Sequence, residues 1–563
     1  MARYAETVFS GGAVYTADAS GRRVGPATAP GGQAASAVAV AGGRIVAIGV
    51  AGDDRIRDLT GPATDVVDLR GRALLPGFQD AHAHPAFAGV TMISCNLIGA
   101  RSLDEALARV SAYARAHPGK EWVSGGGWRS SWFAAGAPGR EILDRLVPDR
   151  PAYLVNAESH GAWVNSRALE LAGIDARTPD PPDGRIERDA DGSPQGTLHE
   201  GAASLVGALV PPPSFDERLA GLLLAQRHLH ERGITAWQDA IVGNYLGSPD
   251  PLPVYLAAAA SGQLTARVEG ALWWDRGRDA GQLAEILGRR EQGQAGRFRA
   301  NTVKIMQDGV AGSFTASMLD PYLDACGHQP GGRGLSHIDA DDLGRYVTEL
   351  DAESFQVHLH AIGDRAVRES LDAIQAARDA NGRNDNRHHI AHLQVIHPDD
   401  IPRFAALGVT ANVQGLWAAH EPQMDDRTIP FLGPERAARQ YLFGDLLRSG
   451  ARLAAGSDWA VSSANPLRAI HVAVNRSLPG ARGAQAEPFL PGQSLRLAEA
   501  LAAYTAGSAY VNHLDDQTGA IEPGLLADLV VLDTDPFTGP AAQIDGTAVL
   551  LTYVEGQQVF AAS

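Results

Sequence analysis

Residues 74–85, LLPGFQDAHAHP, decide how the rest of the chain is read. An apolar run leads into Asp80 and then into His82 and His84, separated by one alanine. Successive side chains of a strand point to opposite faces, so residues two apart share a face. The stretch therefore projects two imidazoles from one side of a buried strand, a geometry suited to chelating a single ion. Neutral imidazole suits zinc, and three or four N/O donors with an open position make a catalytic site rather than a structural one.

Working outward, short apolar strands recur downstream: GITAWQDA (233–240), ARVEGALWW (266–274), NTVKIMQDG (301–309), FQVHLHAIGD (355–364), HHIAHLQVI (388–396), GVTANVQ (408–414) and ARLAAGSDWAV (451–461). Ala-rich amphipathic stretches such as DRAVRESLDAIQAARDA (364–380) separate them. With the opening stretch this makes eight strands alternating with helices, an α/β pattern that favours a (β/α)8 barrel over an open sheet. A long insertion, about 86–215, falls between strands one and two, and its piece RTPDPPDGRIERDADGSPQG (177–196) reads as turns and a hairpin. Both ends are β-rich: AVAVAGGRIVAIG (37–49) flanks Gly42-Gly43 with β-branched runs, and GAIEPGLLADLVVLDTDP (519–536) has the same texture. The expected organisation is a small β domain built from residues 1–75 and 506–563 around a barrel at 76–505.

Composition narrows the function. With 65 acidic against 48 basic residues, the net charge of −17 argues against nucleic acid or an anionic membrane as partner. Two cysteines, Cys95 and Cys326, make neither a disulfide framework nor a thiolate metal site. The N-terminus lacks a signal peptide's basic start and apolar core, and no apolar run is long enough to span a bilayer. A cytoplasmic enzyme, with a homodimer as the ordinary assembly, is the expectation.

Barrel enzymes carry their chemistry at the carboxyl ends of the strands. His82, His84, Lys304, His360, His392 and Asp458 fall at or near such ends. A lysine inside the apolar strand TVKIM (302–306) cannot keep an unpaired ammonium cheaply. It either forms an ion pair, as with Asp308, or reacts as a neutral amine with carbon dioxide to give a carbamate that bridges two divalent ions. His358 forms a second H-x-H with His360 and fits a partner orienting a ligand. His388, His389 and His397 read as packed or surface residues. GGGWRSSWF (125–133) reads either as an aromatic core or as a lid, with Trp128 and Trp132, joined by Trp417 and Trp459, lining an apolar pocket over the metals.

The motifs GFQDAHAHP, VKIMQDGV, HLHAIGDRAV, HHIAHLQVIHP and GSDWAVSSANPLRAIH resemble the amidohydrolase superfamily, and more narrowly its YtcJ-like and N-substituted formamide deformylase subgroup. The likeness extends through RPAYLVNAESHGAWVNSRALELAGI (150–174) and GAIEPGLLADLVVLD. It implies a distorted (β/α)8 TIM barrel with a composite β-sandwich, and metal-dependent hydrolysis of amide or related C–N bonds. One ion, expected to be zinc, would be held by His82, His84, Lys304 and Asp458, and a second by Lys304, His360 and His392. Two departures stand out: Ala391, where relatives often carry Glu, precedes His392, and Glu158 and Ser159 precede His160 in place of a more usual Asp-Gly. The expected reaction is attack of metal-activated hydroxide on a linear amide, an N-substituted formamide or N-acyl amine with an apolar or aryl group. Asp458 would shuttle the proton and His160 would steady the oxyanion. Deamination, lactone, carbamate or ester cleavage on the same scaffold is the alternative, and a non-catalytic metal-dependent binder of small molecules is the alternative outside catalysis.

Overall fold

The computed structural model describes residues 4–133, 137–157, 160–245, 248–324 and 332–562. Glu158, Ser159 and Cys326 lie outside the described residues.

Eight parallel strands form the central sheet: β1 (Phe78–Ala83), β2 (Ile234–Val242), β3 (Arg267–Trp273), β4 (Phe298–Met306), β5 (Gln356–Ala361), β6 (His389–His392), β7 (Thr410–Val413) and β8 (Arg452–Ala455). Every residue of β1, β5, β6 and β7 is buried, as expected of parallel strands covered on both faces. The barrel is closed onto β1 by single contacts: past the end of β8 the Asp458 amide donates to the His82 carbonyl at 2.8 Å, and from β7 Asn412 Nδ2 donates to the Ala81 carbonyl at 2.9 Å. Lateral register sets Lys304 beside His358, Met306 beside His360 and Ala361 beside His392. The strand alternation therefore places Lys304, His358 and His360 on one shared face, towards the barrel axis.

The terminal segments form two sheets. Thr7–Ser10, Ala37–Ala41, Arg44–Gly49 and Asp65–Asp68 make one. In the other, Ala13–Ala17, Val24–Pro26 and Ala73–Pro76 join Leu529–Leu532, Val549–Val554 and Gln557–Ala561 from the far end of the chain. Their shared core includes Phe9, Val38, Ile45, Leu74, Leu529 and Tyr553. Gly42 and Gly43 sit at φ 57° and 72°, the paired positive angles that a two-residue hairpin turn needs.

The insertion carries a sheet of its own. Six strands, from Cys95–Asn96 to Pro194–Glu200, form a mixed sheet, and Gly184–Arg188 pairs antiparallel with Pro194–Glu200 as the hairpin reading expected. Trp128 was weighed for a pocket over the metals; it is 1% exposed and packs in the insertion's own core against Phe133 and Trp163. Its indole N–H donates to the Leu154 carbonyl at 2.7 Å. Trp132 packs against the same cluster. The reason lies in the glycines: a Cβ at Gly125 would come within 2.2 Å of the Cys95 carbonyl oxygen, so this strand lies hard against its neighbour. The bulk that seals the layer falls to the tryptophan that follows. Among the described residues, no helix is long and apolar enough to cross a membrane.

Candidate metal centre

His82 and His84 close β1, and Asp458 follows β8. His82 Nε2 lies 3.2 Å and His84 Nε2 3.0 Å from the same Asp458 oxygen, Oδ1. The three ligand atoms lie within 4.8 Å of one another. Asp80 brings the two segments together: its Oδ1 accepts from the backbone amides of both His82 and Ser457 at 3.0 Å. Burial pushes the Asp80 carboxyl up to about 6. Asp458 holds φ at 53° and His392 at 80°, a region costly for residues other than glycine, so surrounding packing imposes both conformations.

A chain of buried hydrogen bonds fixes which nitrogen of His82 faces Asp458. Gln356 Nε2 donates to the carbonyls of Arg387 (2.9 Å) and Val511 (2.8 Å), so Gln356 Oε1 is an acceptor. It receives Gln238 Nε2 at 2.9 Å, which turns Gln238 Oε1 towards His358 Nδ1 at 2.6 Å. His358 Nδ1 therefore carries the proton, its Nε2 is a lone pair, and that lone pair accepts from His82 Nδ1 at 2.8 Å. By elimination His82 Nε2 is a lone pair as well, aimed at a carboxylate oxygen. Two acceptors 3.2 Å apart repel unless a positive centre lies between them. A proton is a poor choice, because burial, and then the Lys304 charge, lower the His82 pKa to about 3. Burial pushes the Asp458 carboxyl up, but its contacts with His82 and His84 outweigh that and hold it well below the usual carboxylate range. A divalent cation fits this N, N, O donor set.

The second group of donors adjoins the first. The His392 ring centroid lies 4.6 Å from that of His82 and 4.4 Å from that of His360. Asp308 accepts from His360 Nδ1 at 3.0 Å and from the amides of Ser317, Ile362 and Gly363, leaving His360 Nε2 for a ligand. His392 Nδ1 is buried without a hydrogen-bond partner, an orphan that a metal would satisfy. Burial holds both imidazoles well below their usual pKa, in the neutral form a metal needs.

Lys304 is 1% exposed, and its Nζ lies 3.4 Å from His358 Nε2. Asp308, the ion-pair partner considered for it, is committed to His360 and three backbone amides. Burial lowers the Lys304 pKa to about 7, with Asp458 opposing, so a large fraction is neutral amine near physiological pH.

His160 reaches the mouth from the insertion, its ring centroid 6.2 Å from that of His360. Its Nδ1 lies 2.8 Å from Glu200 Oε1; burial lowers its pKa, but Glu200 outweighs burial and raises it. Trp417 stacks on His392 at 5.3 Å with the rings 8° from parallel. Trp459 stacks on His228 at 4.6 Å, and its carbonyl accepts from the His84 amide at 2.7 Å. His388 and His389 are packed and hydrogen-bonded, to Asp351 at 2.9 Å and to Gln238 Oε1 at 3.0 Å. The roles of Gln238, Gln356 and Glu200 escape a sequence reading, because an isolated Gln or Glu has no motif and these partners lie tens of residues apart.

The amidohydrolase family model matches residues 65–560. YtcJ of Bacillus subtilis is 31% identical over 90% of this chain and 93% of its own length. N-substituted formamide deformylase of Arthrobacter pascens is 27% identical over 89% and 91%. The crystal structure of an uncharacterized metal-dependent hydrolase from Pyrococcus furiosus superposes with a TM-score of 0.69 at 25% identity, covering 94% of this chain and 99% of that one. With the family match spanning the barrel and the C-terminal part of the sandwich, the chain belongs to the amidohydrolase family.

Proposed function

We propose that this protein hydrolyses the C–N bond of a linear amide, an N-substituted formamide or N-acyl amine, using two divalent ions, zinc by donor type. The observation that carries the reading is the convergence of the His82 and His84 Nε2 atoms on Asp458 Oδ1, with the His82 tautomer fixed from behind. The likeness to the Arthrobacter deformylase supports the substrate class. His82, His84 and Asp458 would hold one ion, His360 and His392 the other, and Lys304, as its carbamate, would join them. Bound there, the ions supply Lewis acidity and lower the pKa of water.

The remaining work falls to the chain's own groups. Asp458 accepts the proton of the attacking water and passes it to the leaving nitrogen, which cannot depart as an amide anion. His160, anchored through Nδ1 by Glu200, which favours its protonated form, turns Nε2 towards the oxygen that gains charge and stabilises it when protonated. A buried site strengthens both effects, because few waters compete.

The test is a panel of N-formyl and N-acyl amines with metal-replete protein, reading released amine, alongside a metal count. About two ions per chain and amine release are expected. Release of ammonia from a heterocycle with one ion per chain would assign the site to deamination. Asp458→Asn is expected to lose at least about a hundredfold in kcat; activity within tenfold of the parent, with metal still bound, removes Asp458 from the proton path.

A further inference from the structure

Two polar groups at the barrel mouth neither hold metal nor move protons in the scheme above. Tyr245 lies three residues past β2 and Arg276 three residues past β3, at the carboxyl ends that carry a barrel's chemistry. The two loops touch: the Tyr245 ring lies 5.1 Å from that of Trp273, the last residue of β3. Gln282, 3% exposed, ties down the turn that carries Arg276. Its Oε1 accepts from the Asp275 amide at 3.0 Å, and its Nε2 faces the carbonyls of Asp275 at 3.0 Å and of Arg278 and Asp279 at 3.2 Å.

The guanidinium stands beside the Glu200–His160 pair. Arg276 Nη2 donates to Asp183 Oδ2 at 3.2 Å, and a Cβ at Gly201, next to Glu200, would come within 2.0 Å of Asp183 Oδ1. His337, whose amide donates to the Gln307 carbonyl just past β4, feels the same charge: burial, then Arg276, lowers its pKa to about 3. A guanidinium carries five N–H groups. With one given to Asp183, and no other acceptor among the described residues, one edge keeps both of its donors. The half-buried Tyr245 lines one cavity with His84, and its hydroxyl has no partner among the described residues. Burial, and next the Glu200 charge, raises its pKa, so the hydroxyl stays protonated and offers a donor.

We propose that Arg276 and Tyr245 bind a carboxylate on the substituent of the amide nitrogen, so that the amide cleaved is an N-formyl or N-acyl derivative of an amino acid. The proposal rests on the hydrolytic reading. A planar guanidinium matches the two oxygens of a carboxylate, and the tyrosine adds one further hydrogen bond. One cation flanked by Asp183 and Glu200 suits a single negative charge better than the double charge of a phosphate. The number of bonds between amide and carboxylate is then what the site selects, because the ions fix one end of the substrate and the clamped Arg276 turn fixes the other.

The experiment uses full-length metal-replete protein and N-formyl amino acids from glycine to 6-aminohexanoate, each against its methyl ester, reading released formate. In the parent one chain length is preferred, and there the acid exceeds its ester in kcat/KM by about ten- to a hundredfold, the worth of hydrogen bonds to a charged group. Arg276→Met abolishes that preference and leaves turnover of the esters unchanged; Tyr245→Phe lowers it severalfold and serves if the first variant fails to fold. Asp183→Asn keeps the preference, which a merely structural Arg276 would lose with its partner. Calorimetry with unreactive methyl keto acids, from 4-oxopentanoate to 8-oxononanoate, gives a readout independent of turnover. One of them binds the parent at least about tenfold more tightly than its methyl ester, and Arg276→Met removes the difference. Acids and esters handled alike at every length, or a preference that survives Arg276→Met, overturns the proposal. If no amide turns over, yet the calorimetric difference is present in the parent and absent from Arg276→Met, the carboxylate site stands and the hydrolytic reading falls.

Discussion

Gln238→Leu tests whether the hydrogen-bond chain behind His82 governs the metal centre. Leucine keeps the approximate volume but removes the acceptor shared by His358 Nδ1 (2.6 Å) and His389 Nε2 (3.0 Å). Gln356 Oε1 loses one donor yet keeps Thr302 Oγ1 at 2.8 Å, so the damage falls on the two imidazoles. A buried donor left unpaired costs about 1–3 kcal/mol, which puts the stability loss at roughly 2–6 kcal/mol. The functional effect is separate. With no acceptor at Nδ1, His358 is free to carry its proton on Nε2, and the lone pair that holds His82 Nδ1–H is then gone. Loss of such an orienting partner typically lowers metal affinity about 10–100-fold. The assay is zinc binding in competition with a chromogenic chelator, run beside thermal melting to confirm a cooperative fold. A variant that melts cooperatively and binds zinc within threefold of the parent would refute the tautomer reasoning, whatever its stability.

Three further outcomes follow from buried charges. If the proposed two-ion site holds, Lys304→Met is expected to keep roughly half the parent's metal and to lose amide turnover, because His82, His84 and Asp458 remain while the anion proposed to bridge the ions is lost; elemental analysis with intact metal content contradicts this. Glu269 is buried in β3, and burial raises its pKa from 4.5 to about 8, although the Asn301 amide and Thr302 hydroxyl oppose the rise. A carboxyl with a raised folded-state pKa contributes stability below its unfolded pKa that is lost as pH climbs. The parent should therefore lose up to a few kcal/mol between about pH 4.5 and 8, with Glu269→Gln flattening the profile in pH-dependent denaturant titrations. Arg267, buried at the start of β3, pairs with Asp528 and Glu555 of the C-terminal segment. Arg267→Met strands the Asp528 carboxylate, which is 2% exposed, and should cost about 3–5 kcal/mol by urea denaturation.

What the sequence shows plainly is what local chemistry dictates. The barrel strands stand out because parallel strands covered on both faces read as unbroken apolar runs, and a polar residue at the end of such a run has few reasons to be there except function. His82, His84, His360 and Asp458 are legible on that ground, and Asp80 beside them turns out to be the clamp that sets β1 against the Ser457 turn. Trp128 is not legible. GGGWRSSWF gives no sign of whether its aromatics face a pocket or a core, because the answer depends on the backbone of Cys95, which lies thirty residues back in the chain.

The Gln238 relay lies further beyond a sequence reading, and it exposes what the barrel contributes beyond holding ligands in place. Gln238 and Gln356 are 118 residues apart, on strands that are not neighbours in the sheet, yet their side chains meet at 2.9 Å inside the barrel. Gln238 reaches His82 through His358, and the amide of Gln356 is itself anchored to the Val511 carbonyl, at the end of the helix Ser508–Val511. The proton on His82 is thus fixed by a backbone carbonyl contributed from the chain's C-terminal third. A sequence motif can supply two imidazoles at the right spacing. Only the closed barrel supplies the acceptors that decide which of their nitrogens is free to bind.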